Sequence, residues 1–293
     1  MRSISMSYLT APAADPFEAL RIAAEAGYDG LGLRLCDPAT GAPVSPLVTE
    51  PALRRRFLAE LAARGLAVTE VEARVLAEAG APVGAAVLET AAALGGAGPA
   101  PDLIAVGGPR GGPSDGTGLA EIGERFAALC EAAASHGVAV GFEPIAHRAA
   151  GSLAEALAVV AAGRGFGARL VLDALHVDRM GVTPAELAAL DPGLLRVLHL
   201  CDAPPAPADL ETMIDHSARN RLPPGQGDLA LGAYLAALPA ELPLALEIPM
   251  TRLDGRVSLE RRARVALDCA RAVLAGEIWK PAGWPETEGD LRE

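Results

Sequence analysis

Ala168-Arg-Leu-Val-Leu-Asp-Ala-Leu-His176 is the stretch whose reading decides the fold. Arg169 to Leu172 has the unbroken apolar character of a parallel strand covered on both faces. The run ends on Asp173, with His176 a short step beyond, and buried strands do not ordinarily carry such residues at their ends. A carboxylate and an imidazole at one strand mouth point to chemistry. Three further segments repeat the pattern: Val138-Ala-Val-Gly-Phe-Glu-Pro144 ends in Glu143, Leu194-Leu-Arg-Val-Leu-His-Leu-Cys-Asp202 in His199 and Asp202, and Leu242-Pro-Leu-Ala-Leu-Glu-Ile-Pro249 in Glu247. Four successive strands thus deliver Glu, Asp, His and Glu to one kind of position. If they are parallel neighbours, these are ligands for a hard metal ion.

Outward from this half, the rest of the chain repeats a strand followed by a helix. Ser3 to Leu9 reads as a first strand, and Asp15-Pro16 opens an amphipathic helix through Ala26 that Gly27 stops. Gly30 to Leu35 is the second strand; Thr49-Glu-Pro51 starts a helix through Arg64 that Gly65 ends. Leu66 to Val75 is the third strand, followed by a helix from Pro82 to Leu94. Asp102 to Gly108 is the fourth, and Pro109 to Gly116 reads as a flexible loop before a long helix from Thr117 to His136. Glu143 ends the fifth strand, a helix from Ser152 to about Ala162 follows, and Asp173 ends the sixth. Thr183-Pro184 begins a short helix, His199 ends the seventh strand, and Glu247 ends the eighth before a helix from Ser258 to Leu274. The connection after the seventh strand is the longest, with no periodicity of its own, which marks it as functional or lid-like. Eight repeats in one direction predict a single (β/α)8 TIM barrel over 1–276, with 277–293 as a C-terminal tail. A doubly wound sheet needs a glycine fingerprint after strand one, and Tyr8-Leu-Thr-Ala-Pro12 has none.

Composition narrows the chemistry. Of 293 residues 51% are hydrophobic but only 3% aromatic, so the core is built from Ala, Leu and Val. The net charge of −12 argues against a nucleic-acid surface, which needs clustered Lys and Arg. Lys280 is the only lysine, which excludes a Schiff-base aldolase and a phosphate-binding P-loop. The four cysteines form no Cys-x-x-Cys pair, so a reducing cytoplasm is expected. No signal peptide is read at the N-terminus, and no run approaches the ~20 apolar residues of a membrane span.

Three carboxylates and one imidazole, Glu143, Asp173, Glu247 and His199, make an oxygen-rich site suited to one divalent ion, Mn²⁺ or Mg²⁺ before Zn²⁺ or Co²⁺. Taken singly, a Glu or His at a strand end is more often a cap or an ion-pair partner. Four in series set that reading aside. Glu72, where strand three ends, is a weaker candidate for substrate contact, and His147 and His216 read as surface histidines.

Gly141-Phe-Glu-Pro144, Val171-Leu-Asp-Ala-Leu-His176, Leu198-His-Leu-Cys-Asp202, Arg221-Leu-Pro-Pro-Gly-Gln-Gly-Asp228 and Ala245-Leu-Glu-Ile-Pro249 together resemble the xylose isomerase-like sugar phosphate isomerase/epimerase superfamily. Inositol-catabolism isomerases and ketose 3-epimerases belong to it. The resemblance implies Glu143, Asp173, His199 and Glu247 as metal ligands, and Glu143 and Glu247 as the acid/base pair. It also implies substrate contacts by His176 and Arg221. Pro-Gly-Gln-Gly stands here in place of the more usual Pro-Gly-Glu-Gly.

The implied activity is isomerisation or epimerisation of a small sugar, keto-sugar or polyol-derived ketone, by carboxylate proton transfer through a metal-stabilised enediolate. The substrate is then a small carbohydrate-like molecule, and relatives of this kind admit a homodimer. A lyase on the same scaffold, dehydroshikimate dehydratase-like or keto-glycoside-cleaving, would use the same proton abstraction with an added acid, His176 or His147. An endonuclease IV-like phosphodiesterase needs more histidines than five and a basic groove. A non-enzymatic binding barrel would have no use for acid/base-capable ligands.

Overall fold

The computed structural model describes residues 2–76, 82–108 and 118–285. Its eight strands are β1 Ile4–Met6, β2 Gly30–Arg34, β3 Ala67–Val75, β4 Asp102–Val106, β5 Val140–Glu143, β6 Arg169–Asp173, β7 Leu195–Leu200 and β8 Leu244–Leu246. Each pairs in parallel with the next, and β8 pairs with β1, so the sheet closes into a barrel in chain order. Closure gives every apolar strand residue a covered face on both sides. Leu170, Val171 and Leu172 are accordingly buried.

The helices are α1 Pro16–Ala26, α2 Pro46–Thr49, α3 Pro51–Ala63, α4 Ala85–Leu94, α5 Leu119–Ala134, α6 Leu153–Gly163, α7 Ala174–Arg179, α8 Pro184–Ala188, α9 Leu210–Ala218, α10 Leu231–Ala237 and α11 Leu259–Leu274. Local chemistry places their ends. Asp15 accepts hydrogen bonds from the Phe17 and Glu18 amides, Pro16 fills the first turn, and Gly27 closes α1 in the left-handed region at φ 91°. Ser152 with Glu155, and Thr183 with Glu186, form reciprocal capping boxes at α6 and α8.

The structure departs from the sequence reading in its connections. β1 is shorter than expected because the chain turns into a single 3-10 turn over Tyr8–Thr10. A short α7 follows β6 directly, since the Asp173 carboxylate accepts the His176 amide and starts a helix. The connection after β7, expected to lack regular structure, holds α9. Asp209 caps it by accepting the Thr212 amide, and Leu210, Met213 and Ile214 stay only partly covered, so no buried stripe announces it. The expected loop 109–116 lies outside the described residues. Past Gly276 the chain returns to the barrel: Trp284 is buried, and Arg261 donates to the Ala282 and Gly283 carbonyls at 3.0 and 3.2 Å.

Strand alternation sorts the two faces of β5. Phe142 meets Phe126 of α5 edge-to-face, with ring centroids 5.5 Å apart, while its neighbour Glu143 lines the barrel mouth. Phe142→Ala should therefore destabilise the fold by about 3–5 kcal/mol. Urea unfolding followed by circular dichroism measures this, and a loss below about 1 kcal/mol would contradict the packing described.

Candidate metal centre

Parallel strands end on one rim, so residues remote in sequence meet there. One ligand atom from each of Glu143, Asp173, His199 and Glu247 lies within 4.8 Å of all the others, and all four residues are buried. Asp173 and His199 are register partners across β6 and β7. The His199 Nδ1 atom is 3.6 Å from Glu143 Oε1 and 3.7 Å from Glu247 Oε1. These separations are too long for hydrogen bonds but match oxygen and nitrogen donors sharing one ion at about 2.1 Å each.

The other ring nitrogen settles the tautomer. His199 Nε2 lies 3.0 Å from Glu70 Oε2, and a carboxylate only accepts, so Nε2 carries a hydrogen and Nδ1 is the atom that faces Glu143 and Glu247. That Nδ1 is buried and has no hydrogen-bond partner among the described residues. Burial alone would depress the His199 pKa, yet Glu70 and Glu247 outweigh it and hold it well above its ordinary value, so a cation entering the site would displace the Nδ1 proton. Burial drives Glu247 well above the usual carboxylate range, offset in part by Arg221 and reinforced by Glu143. An orphaned imidazole nitrogen among crowded buried carboxylates is a donor set that a divalent cation fits.

Arg221, proposed from the resemblance as a substrate contact, is enclosed beside this cluster. Its Nη1 donates to Asp173 Oδ2 and to the Glu247 carbonyl at 3.1 Å and lies 2.8 Å from Glu247 Oε2 as an ion pair, while Nε donates to the Ser217 carbonyl at 2.8 Å. Burial would raise Asp173, but Arg221 and the nearby imidazoles hold it below its ordinary value. Two of the four candidate ligands are thus oriented by one guanidinium. His176 is fully enclosed, its amide donating to Asp173 Oδ1 at 3.0 Å and its Nε2 lying 3.2 Å from Ser217 Oγ. Burial pushes its pKa down to about 3, so the ring stays neutral.

Above the cluster opens a cavity of about 260 Å³, lined by Arg34, Glu72, Glu143, His147, Arg148 and Glu247 among others. Glu72 accepts from Ser7 Oγ and, at 2.9 Å, from the Tyr8 amide; burial first, then the charge of Glu70, push its pKa up to about 7. The reading of His147 as a surface histidine is corrected here. It is 3% exposed, lines the cavity and meets the His176 ring edge-on at 5.7 Å, because the turn after Pro144 folds inward. His216 lies part-covered on α9, in a separate surface groove.

Sequence reasoning missed Glu70, Arg34 and the structural use of Asp202. Glu70 precedes Glu72 by two residues, the spacing that returns a strand to one face, and this pair of carboxylates was the available signal. Gly32 makes room for it: a Cβ there would come within 3.0 Å of the Glu70 Cγ and Oε1 atoms. Asp202 accepts from the Ala203, Gly225 and Leu229 amides at 2.9, 2.9 and 3.1 Å, fastening the Pro224-Gly-Gln-Gly227 turn. At Gly227 a Cβ would lie 2.4 Å from the Ala203 carbonyl oxygen.

A carboxylate that fixes a ligand's tautomer contributes to metal affinity without touching the ion. Glu70→Ala should weaken Mn²⁺ binding roughly 10- to 100-fold. Competition against a chromophoric chelator reads this directly, and unchanged affinity in a folded variant would remove Glu70 from the centre.

Comparison with curated proteins gives no significant match. The solved IolI protein with a bound zinc atom superposes with a TM-score of 0.71 at 17% identity, over 95% of this chain and 100% of that one. A D-allulose 3-epimerase from Methylomonas sp., in complex with D-allulose, gives 0.63 at 17% identity over 92% and 96%. A xylose isomerase-like TIM barrel/4-hydroxyphenylpyruvate dioxygenase fusion protein gives 0.67 at 18% identity; it covers 96% of this chain, which spans 45% of that longer one. The family model of the xylose isomerase-like TIM barrel matches residues 20–273, and the chain belongs to that family.

Proposed function

We propose that this barrel is a divalent-metal-dependent isomerase or epimerase of a small sugar, keto-sugar or polyol-derived ketone. The observation that carries the reading is the convergence of Glu143, Asp173, His199 and Glu247, of which Glu143 and Glu247 line a cavity sized for a small molecule. Three carboxylates to one imidazole favour Mn²⁺ or Mg²⁺, with Zn²⁺ or Co²⁺ also compatible. When bound, such an ion draws electron density from two neighbouring substrate oxygens and so acidifies the carbon-bound proton between them.

The protein's own part is proton handling and positioning. Glu143 ends strand five and Glu247 directly follows strand eight of the closed sheet, and both reach the cavity, so each can present a carboxylate oxygen to the reacting carbon. One takes the proton and the other returns it. Arg221 keeps Glu247 oriented, and Glu72 offers a hydrogen-bonding group to a substrate hydroxyl. Glu143 at the end of a short strand and Glu247 just beyond β8 leave little rotational freedom, which favours a defined proton path.

A second reading, a lyase using the same proton abstraction, is favoured by one observation: the inward-folded His147 lines the cavity and can protonate a departing hydroxyl. Loss of water from the substrate separates the two.

Four buried free cysteines suit a reducing cytoplasm, and no described helix is long and apolar enough to cross a membrane. The net charge of −12 favours small-molecule over nucleic-acid partners.

Glu247→Gln in Mn²⁺-loaded protein should slow exchange of the carbon-bound proton with solvent deuterium by roughly 10²- to 10⁴-fold, read by NMR on a panel of ketoses. Full turnover by that variant would overturn the acid/base assignment. Exhaustive chelation should abolish exchange and Mn²⁺ should restore it; exchange persisting in chelated protein would remove the metal from the proposal.

A further inference from the structure

Two arginines at the barrel mouth are left over from the machinery above. Arg34 is the last residue of β2, Arg148 follows β5, and both line the cavity over the candidate ligands. Buried arginines elsewhere have anionic or carbonyl partners: Arg221 with Asp173 and Glu247, Arg179 with Asp178, Arg262 with Asp254, Arg74 with the Pro38 and Ala39 carbonyls. Arg34 differs. Its guanidinium lies over the Tyr8 ring, 4.3 Å from the centroid, and its buried Nε has no hydrogen-bond partner among the described residues. Its charge acts through space on Glu72 and Asp37, but Glu72 Oε1 is already taken by Ser7 and the Tyr8 amide, and Asp37 Oδ1 by the Ala39 and Thr40 amides. Arg148 Nη1 donates to the Gly108 carbonyl at 3.1 Å.

Stacking on an aromatic face holds a guanidinium in place without neutralising it, and its planar fork matches the oxygens of a carboxylate or phosphate. The cavity floor carries carboxylates, which repel an anion unless cations receive its far end. A neutral sugar needs no such cations. We infer that the substrate is an anionic hydroxy-ketone, whose carbonyl end meets the four candidate ligands while a terminal oxyanion, carboxylate or phosphate monoester, is held by Arg34 together with Arg148. The reacting end of this assignment rests on the proton-transfer reading; the oxyanion end rests on the arginines.

The test uses Mn²⁺-loaded full-length protein and three probes: a neutral ketohexose, the same ketose oxidised to a carboxylate at its terminal carbon, and the same ketose phosphorylated there. Binding by calorimetry and proton exchange by NMR are measured for each. At least one anionic probe should bind roughly tenfold or more tighter than the neutral one, and which does so tells carboxylate from phosphate. Arg34→Gln, and separately Arg148→Gln, should lower this anionic-over-neutral ratio about tenfold or more, with Arg34→Lys restoring part of it. Melting curves establish that the variants fold, and either one suffices. A wild-type ratio near one, no binding of any probe, or a ratio unchanged in the folded variants overturns the inference. Arginine-dependent binding without exchange would sink the proton-transfer reading and leave the oxyanion subsite standing. Exchange indifferent to the terminal group would do the reverse.

Discussion

The arrangement depends on one buried imidazole with a carboxylate on either side of it. His199 Nε2 donates a hydrogen bond to Glu70, and that single bond turns Nδ1 toward Glu143 and Glu247. Without it the ring could adopt the other tautomer and present a hydrogen where the cluster needs a donor atom. Negative charges packed this closely in a low-dielectric interior repel, and protons or cations among them relieve the repulsion. Arg221 supplies one such charge from the side, in contact with Asp173 and Glu247. A divalent ion held by the four candidate ligands would supply the other.

The barrel makes this crowding attainable. Eight strands closing in order place the ends of β5, β6, β7 and β8 side by side, so four short side chains need little reach to converge. The helices around them are fixed by capping and by apolar packing that has nothing to do with the site, as at Asp15 or between Phe126 and Phe142. Stability resides in the wall, while the rim is free to carry charges that cost stability.

How legible this was in the sequence follows from where each residue sits. Asp173, His199, Glu143 and Glu247 end apolar runs, and a polar residue interrupting such a run is conspicuous, so both barrel and cluster could be read. Glu70 sits within β3, where a carboxylate is readable only by asking what lies across the barrel from it. Arg34 ends its strand too, but a terminal arginine is the ordinary way to leave a sheet. His147 looked like a loop residue because nothing local shows that the turn after Pro144 folds inward. The capped α9 has no buried stripe, since Leu210 is exposed and Met213 and Ile214 are only half-buried.

The Pro224-Gly-Gln-Gly227 turn differs from its more usual form by one atom group, an amide where a carboxylate is common. The Gln226 Nε2 donates to the Trp279 carbonyl at 2.7 Å, so this amide clasps the segment that follows the last helix. A glutamate in its place would set lone pair against lone pair and push that segment away. Gln226 and the strap of chain beyond Gly276 therefore form one latch, reaching through Asp202 to the end of β7.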